Sequence, residues 1–200
     1  MTTAHYILAL AWILYCVLHS VLAAGSVKAV MGKWLGKNAR YYRFGYTLLA
    51  FVGFVGILLY QVSIESPLLF DPPAVVLWAG IALAAIGSAL VMLNILKYFM
   101  QLSGVRWLTH ENPSARLERG GFHRYVRHPL YFSTFLFIWS LWLVYPYLSL
   151  LIANVIITVY TLIGIGFEEK KLLIEFGEEY EDYRKSVPKI IPSFKNRAEQ

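Results

Sequence analysis

The fold is decided by residues 130–167, which read LYFSTFLFIWSLWLVYPYLSLLIANVIITVYTLIGIGF. This stretch contains no Asp, Glu, Lys or Arg. A helix rises about 1.5 Å per residue, so about 20 apolar residues cross a hydrocarbon core of roughly 30 Å. Pro146 ends a helix because proline lacks an N–H group and blocks the preceding turn. The stretch therefore predicts two membrane-spanning helices, 130–148 and 149–167, joined as a tight hairpin.

Three more segments, 6–24, 44–62 and 74–96, are equally apolar and free of charge. The whole chain is 58% hydrophobic and 15% charged, whereas soluble domains carry about 25% charged residues. The single cysteine, Cys16, excludes an intrachain disulfide. We expect an all-α, polytopic membrane protein of about five transmembrane helices.

The basic residues lie on one side of the predicted spans. All 18 of them fall in the loop after the first span, in the loop after the third, or in the tail after the fifth. The opposite loops hold only the charged residues Glu65 and Asp71. The positive-inside rule therefore predicts an external N-terminus, with the two basic loops and the tail in the cytoplasm. The net charge of +6 then favours contact with a membrane surface over nucleic acid.

The tail carries a helical stripe of apolar residues spaced three and four apart, namely Leu172, Phe176, Tyr180, Tyr183 and Val187. This spacing predicts a helix that lies on the membrane or on the bundle. We expect Gly177 to divide it into two short helices. Pro188 and Pro192 end the pattern.

A few polar and small residues within the spans stand out. His19, Asn94 and Asn154 are interpreted either as functional groups or as cross-helix packing contacts. Gly80 and Gly87 predict close approach of another helix, either within the chain or between chains. The oligomeric state stays open.

The densest polar cluster is residues 117–131, LERGGFHRYVRHPLY, which lead into the fourth span. Pro129 suits the first turn of that helix. Arg127 and His128 then lie at a helix N-terminus, whose free N–H groups bind anions such as carboxylate or phosphate. The alternative interpretation is a basic loop that contacts anionic lipid headgroups.

Glu168 and Glu169 follow the fifth span. Because the hairpin is short and its helices are of similar length, we expect this pair to face Arg127 and His128 in one pocket. Such a pocket suits a zwitterionic ligand, or the four side chains simply pair with each other. The spacing of His110, His123 and His128 with these glutamates fits no metal-ligand pattern, so no metal is expected.

The motifs 127–131 (RHPLY), 168–169 (EE), 176–184 (FGEEYEDYR) and 187–192 (VPKIIP) keep the order and spacing of a known family. Over residues 115–195 the chain resembles the isoprenylcysteine carboxyl methyltransferase family. That family is part of a wider group of membrane methyltransferases that includes phospholipid N-methyltransferases and methanethiol S-methyltransferase. Residues 19–20 and 40–43 are more similar to the bacterial branch, which includes the NnrU-like proteins.

The resemblance implies one integral-membrane domain over residues 1–200. It comprises a three-helix part, 1–96, and a cofactor-binding part, 97–200, with the helical hairpin and cytoplasmic tail. The implied cofactor is S-adenosylmethionine. The implied location is the bacterial inner membrane, with the active site facing the cytoplasm. The implied acceptor is a thiol, a carboxylate of the isoprenylcysteine type or a lipid amine. It would enter sideways from the membrane lipid and meet the cofactor at the cytoplasmic interface.

The resemblance also assigns site residues. Arg127 and Glu168 are the implied catalytic residues, and the implied cofactor-binding residues are Leu117, Gly121, His128, Pro129, Tyr131, Glu168 and Glu169. Two positions depart from the family pattern: His123 replaces an aromatic residue, and Ser186 replaces a basic one. These departures support an alternative hypothesis, a non-catalytic assembly factor or lipid-binding partner that keeps the methyltransferase fold.

Overall fold

The computed structural model describes residues 1–102 and 117–193. Within these residues the α-helices, in chain order, are α1 Thr3–Ala23, α2 Gly25–Leu35, α3 Ala39–Ser63, α4 Ala74–Leu102, α5 Pro129–Val144, α6 Leu148–Phe176 and α7 Glu178–Ser186. Short 3-10 helices cover Gly36–Asn38 and Gly121–Arg124. Some residues used in the sequence predictions lie outside the described residues: Arg106, His110, Arg116, Lys195 and Arg197.

The helices confirm a polytopic, all-helical membrane protein. In the described part of the chain, the segments long and apolar enough to cross a membrane are Thr3–Ala23, Gly25–Ser63, Ala74–Lys97 and Leu148–Phe176. The segment Pro129–Val144 is apolar but shorter, with 16 residues. At 1.5 Å per residue it measures about 24 Å, less than the roughly 30 Å of a hydrocarbon core.

Helix α5 ends at Val144, four residues before the predicted boundary. The following residue, Tyr145, precedes Pro146 and has φ −126° and ψ 76°. A proline ring clashes with helical conformation at the residue before it. The proline therefore stops the helix earlier than the apolar composition indicates.

Helix α6 continues beyond the predicted boundary at residue 167, to Phe176. The prediction of two short tail helices is therefore wrong for the first of them, which is the continuation of α6. Gly177 does separate α6 from α7, and its φ of +55° is one that glycine adopts without a Cβ clash. The first half of the apolar tail stripe thus belongs to a membrane helix.

Helices α1 and α4 make the principal helix contacts of the described bundle. Helix α1 packs against α3 and α6 around the buried side chains of Leu8, Trp12 and Ala153. Helix α4 packs against α5, and a Cβ atom added at Gly87 would lie 2.7 Å from the backbone nitrogen of Phe137. The small-residue stripe on α4 therefore serves packing within the chain, one of the two uses expected for it.

Polar contacts close the end of the bundle that contains the hairpin turn. Ser66 contacts the Nε2 atom of His5 at 3.1 Å and accepts a hydrogen bond from the backbone N–H of Ser149 at 2.9 Å. The N–H of Leu69 donates to the carbonyl of Pro146 at 2.8 Å. The α3–α4 connection is therefore fastened to the hairpin, and Glu168 lies at the other end of α6.

The polar residues within the spans have different environments. The Asn154 side chain donates across to the Ile138 carbonyl of α5 at 2.7 Å, so the cross-helix packing interpretation holds for it. The Asn94 side chain instead donates to the Leu90 carbonyl of its own helix at 2.8 Å. The buried Nδ1 atom of His19 has no hydrogen-bond partner in the described structure.

Candidate active site

Arg127 is the most heavily bonded side chain at the start of α5. Its Nε and Nη2 atoms donate to one oxygen of Glu169 at 3.0 Å and 2.6 Å. Its Nη1 atom donates to the carbonyls of Arg184 at 2.7 Å and Val187 at 2.9 Å. Arg127 is 9% exposed and Glu169 is 7% exposed, so this charge pair is shielded from solvent. One guanidinium therefore ties together α6, the end of α7 and the residues that begin α5.

The residues that follow α7 run alongside this cluster, and we call residues 187–193 the tail segment. The backbone N–H of Arg127 donates to the Pro188 carbonyl at 2.9 Å, and that of His128 donates to the Lys189 carbonyl at 3.2 Å. The expectation that these two N–H groups are free to bind an anion is therefore wrong. Helix α7 ends at Ser186, and Val187 leaves the helical conformation with φ −119° and ψ 131°. The carbonyls of Pro188 and Lys189 then reach these two N–H groups.

Glu169 receives three basic side chains. Besides Arg127, the Nε2 atom of His128 lies 3.3 Å from Oε1, and the Nζ atom of Lys189 lies 3.2 Å from Oε2. A buried carboxylate is tolerated when it is paired and hydrogen-bonded in this way. The sequence analysis did not identify Lys189, although it comes directly after the Val-Pro motif.

The neighbouring Glu168 lies in a different environment. Its side chain is 44% exposed, and its Oε2 atom accepts a hydrogen bond from the Tyr131 hydroxyl at 3.0 Å. The Nδ1 atom of His128 lies 3.8 Å from the same oxygen. Adjacent side chains on a helix point about 100° apart, because a turn takes 3.6 residues. Glu169 therefore faces the protein interior, whereas Glu168 is accessible to a ligand.

Glu168 and Tyr131 open onto a cavity of about 370 Å³, here called the Tyr131 cavity. The predicted site residues that line it are Leu117, Arg127, His128, Pro129, Tyr131 and Glu168. Gly121 lies in the neighbouring 3-10 turn with φ +60°, and Glu169 is turned toward Arg127. In residues 1–102 and 117–193, no three His, Cys, Asp or Glu side chains are grouped to hold a metal ion.

Several lining residues were not predicted as site residues. Glu118 adds a second carboxylate, and Leu172, Phe176, Tyr180 and Tyr183 form the wall from α6 and α7. These four apolar residues belong to the tail stripe, which was expected to lie on the membrane or on the bundle. Their helical spacing could be recognised in the sequence, but no sequence signal indicated that they line a cavity.

Burial changes the titration of two groups beside the cavity. Burial, together with the negative charge of Glu169, raises the pKa of Tyr180 to about 12, and the positive charge of Arg127 lowers this pKa in part. Burial also lowers the pKa of His123, and the nearby charge of Lys97 lowers it further. His123 is therefore neutral near pH 7. Its Nδ1 atom lies 3.1 Å from the Arg127 carbonyl, which requires the proton on Nδ1 because a carbonyl only accepts.

Comparison with known proteins identifies the family. The model of the phospholipid methyltransferase family matches residues 75–179, more than half of the 200-residue chain. The chain belongs to this family. The matched region contains α5, α6 and, within the described residues, every predicted site residue. The family resemblance seen in the sequence is thus confirmed.

Curated members of related families show the same similarity. The chain is 42% identical to the methanethiol S-methyltransferase of Crocosphaera subtropica over 73 residues, which cover 36% of this chain and 27% of that protein. It is 26% identical to the Mycobacterium tuberculosis methanethiol S-methyltransferase over 187 residues, 89% of this chain and 74% of that one.

The similarity extends to a eukaryotic protein. Over 84 residues the chain is 37% identical to the protein-S-isoprenylcysteine O-methyltransferase of Schizosaccharomyces pombe, covering 40% of this chain and 35% of that protein. In four of the methanethiol S-methyltransferases, the matched part spans only 26% to 64% of the relative's length. No solved structure matches the chain.

Proposed function

We propose that this protein is an S-adenosylmethionine-dependent membrane methyltransferase whose reaction centre is the Tyr131 cavity. The observation that carries the proposal is the different placement of two adjacent glutamates. Glu169 is bonded within the protein, whereas Glu168 and Tyr131 face a cavity inside the family-matched region. A cavity of about 370 Å³ is within the range that small-molecule sites occupy in proteins.

The lining residues fit the methyl donor. S-adenosylmethionine, when bound, supplies an electrophilic methyl group on a positively charged sulfur. The carboxylates of Glu118 and Glu168 suit its cationic groups or its ribose hydroxyls. The rings of Tyr131, Phe176 and Tyr180 suit an adenine base, and aromatic faces also attract cations. The Arg127 guanidinium, which the family resemblance implied to be catalytic, is occupied by Glu169 and two carbonyls.

Arg127 is proposed as a positioning residue. It connects the start of α5 to α6, to α7 and to the tail segment through four hydrogen bonds. This connection holds Tyr131 of α5 opposite Glu168 of α6. Methyl transfer depends chiefly on alignment of the reacting groups and on exclusion of water. A side chain that fixes two cavity walls therefore contributes to rate without contacting the acceptor.

Glu168 is proposed as the catalytic residue. Its partly exposed carboxylate is the acidic group best placed to hold the proton that a thiol acceptor loses. Tyr131 positions this carboxylate through the 3.0 Å hydrogen bond from its hydroxyl. A thiolate is a stronger nucleophile than a thiol, so a proton acceptor beside the sulfur would accelerate transfer.

The acceptor is proposed as a thiol or an isoprenylcysteine carboxylate, because the similar proteins are named for these substrates. A lipid amine is the further class that the family name suggests. The site is proposed to face the cytoplasm, on the basis of the positive-inside rule. The membrane is proposed to be a bacterial inner membrane, because the similar methanethiol S-methyltransferases come from bacteria.

The test is calorimetric titration of the detergent-purified protein with S-adenosylhomocysteine. We expect binding that Glu168→Gln weakens about 10- to 100-fold, because a hydrogen bond to a charged group contributes roughly 1.5–3 kcal/mol. Glu175→Gln is the matched control, since this exposed glutamate lies on the same helix away from the cavity. Equal binding by the Glu168→Gln and Glu175→Gln proteins would contradict the proposed site.

An acceptor screen separates an enzyme from the non-catalytic alternative. Small thiols and prenyl-cysteines are incubated with the donor, and methylated products are measured by mass spectrometry. The Ser186 hydroxyl, at one of the departures from the family pattern, donates to the Tyr183 carbonyl of its own helix at 2.9 Å. Donor binding without any methylated product would support a scaffold that keeps the fold.

A further inference from the structure

A second and larger cavity, of about 1010 Å³, lies among α1, α2, α3 and α6. We call it the Lys28 cavity. Its lining includes His19 of α1, Lys28 of α2, Arg43 of α3 and Lys171 of α6. Glu168 lines both this cavity and the Tyr131 cavity. The two cavities therefore meet at the Glu168 side chain. The other residues proposed for methyl transfer line the Tyr131 cavity and not the Lys28 cavity.

The lining of the Lys28 cavity is strongly basic. Four cationic side chains, those of Lys28, Arg40, Arg43 and Lys171, face a single carboxylate, that of Glu168. Lys28 is close enough to Arg43 and Lys171 for their charges to repel its own. Like charges gathered in a partly enclosed space raise the local potential and attract an anion.

The cavity also lies at the depth where apolar helices end. Helix α1 ends at Ala23, and the uncharged run of α6 ends at Phe167, and both residues line the cavity. Ala24 and Gly164 add a small and apolar wall. A lipid headgroup and the first atoms of its acyl chains occupy this depth in a bilayer. Basic pockets between membrane helices are the sites at which anionic headgroups bind.

The lining combines the two chemistries that a lipid presents. Cationic side chains from α2, α3 and α6 line the cavity together with Phe167, whose side chain is 68% exposed. The Nδ1 atom of His19 adds a buried polar group without a hydrogen-bond partner. A small neutral thiol would not fill a cavity of about 1010 Å³ and carries no charge to complement its basic lining.

We propose that the Lys28 cavity binds the headgroup of an anionic phospholipid, with its phosphate held by Lys28, Arg43 and Lys171. The acyl chains pass Phe167 into the bilayer. The bound lipid contacts α2, α3 and α6 together. This proposal goes beyond the proposed methyl transfer and does not depend on it.

The test is native mass spectrometry of the full-length protein in detergent, titrated with dioleoyl phosphatidylglycerol or dioleoyl phosphatidylcholine. The test variant carries Lys28→Gln and Lys171→Gln. The control variant carries Lys33→Gln and Lys37→Gln, which remove the same charge from exposed residues outside the cavity. We expect phosphatidylglycerol binding to weaken about tenfold to thirtyfold in the test variant and less than twofold in the control.

A third variant guards against misfolding. Lys28→Arg with Lys171→Arg keeps both charges and is expected to retain phosphatidylglycerol binding, even if the glutamine variant is poorly folded. Equal affinity for the two lipids, or equal weakening in test and control variants, would overturn the proposal. Complete displacement of the lipid by inorganic phosphate would reassign the cavity to a small anion, and displacement by N-acetyl-S-farnesylcysteine would reassign it to the acceptor.

Discussion

Replacing either member of the Glu168-Glu169 pair by glutamine makes the same chemical change at adjacent positions with opposite expected consequences. Glu169 is 7% exposed and faces Arg127, which is 9% exposed. Its substitution leaves a buried guanidinium without a countercharge. Glu168 is partly exposed and its carboxylate accepts a hydrogen bond from the neutral Tyr131 hydroxyl, so its substitution leaves no buried charge unpaired.

The magnitudes follow from these environments. Removing one partner of a buried ion pair costs about 3–5 kcal/mol of the free energy of unfolding. Glutamine keeps one acceptor oxygen for Arg127, so we expect about 3 kcal/mol for Glu169→Gln. For a chain of this length that lowers the midpoint of thermal unfolding by roughly 6–12 °C. For Glu168→Gln we expect less than about 1 kcal/mol, because an exposed hydrogen bond contributes little.

The assay is thermal unfolding in one detergent, followed by tryptophan fluorescence, alongside titration with S-adenosylhomocysteine at low temperature. Glu169→Gln is expected to unfold earlier yet still bind the ligand while folded. Glu168→Gln is expected to unfold near the wild-type temperature and to bind poorly. If the two variants lost stability equally, or if their order were reversed, the division of roles derived from the contacts would be refuted.

Three further outcomes are expected. Gly87→Ala places a Cβ atom 2.7 Å from the Phe137 backbone nitrogen and should lower the free energy of unfolding by about 1–3 kcal/mol, whereas Gly56→Ala, with no atom within 4 Å, should be neutral or stabilising in the same thermal assay. Tyr180 has a folded pKa of about 12 against an ordinary value near 10, so the stability it contributes is complete below pH 10 and is lost as the pH rises toward 12. Thermal unfolding from pH 8 to 12 should therefore show a smaller alkaline loss in Tyr180→Phe than in wild type, and equal losses would contradict this. Tyr131→Phe removes one hydrogen bond to the cavity carboxylate and should weaken S-adenosylhomocysteine binding about threefold to tenfold by calorimetry, whereas unchanged affinity would show that the hydroxyl does not position the site.

The sequence by itself determined where the long apolar helices of this membrane protein lie. Uncharged runs long enough for a hydrocarbon core are a property of composition and length, and neither depends on neighbouring elements. The helices at Thr3–Ala23 and Ala74–Leu102 lie close to the predicted spans 6–24 and 74–96. Helix ends were less predictable, because they depend on the backbone conformation at single residues such as Tyr145 and Gly177.

The sequence also predicted which polar residues lie together at the candidate site. A short hairpin with arms of similar length was expected to return residues 127–128 and 168–169 to one level. Although α5 has 16 residues and α6 has 29, the structure places these four side chains in contact. That inference needed only the helical rise and the position of Pro146.

Only the tertiary structure decided which partner each of those residues contacts. The side-chain hydrogen bonds of Arg127 and His128 join residues 41 to 60 positions apart, and no local pattern encodes such contacts. The backbone N–H groups of Arg127 and His128, just before α5, were expected to be free, yet the carbonyls of Pro188 and Lys189 in the tail segment accept their hydrogen bonds. The Lys28 cavity likewise exists only where four helices meet, since its cations come from separate elements and their convergence is a result of packing.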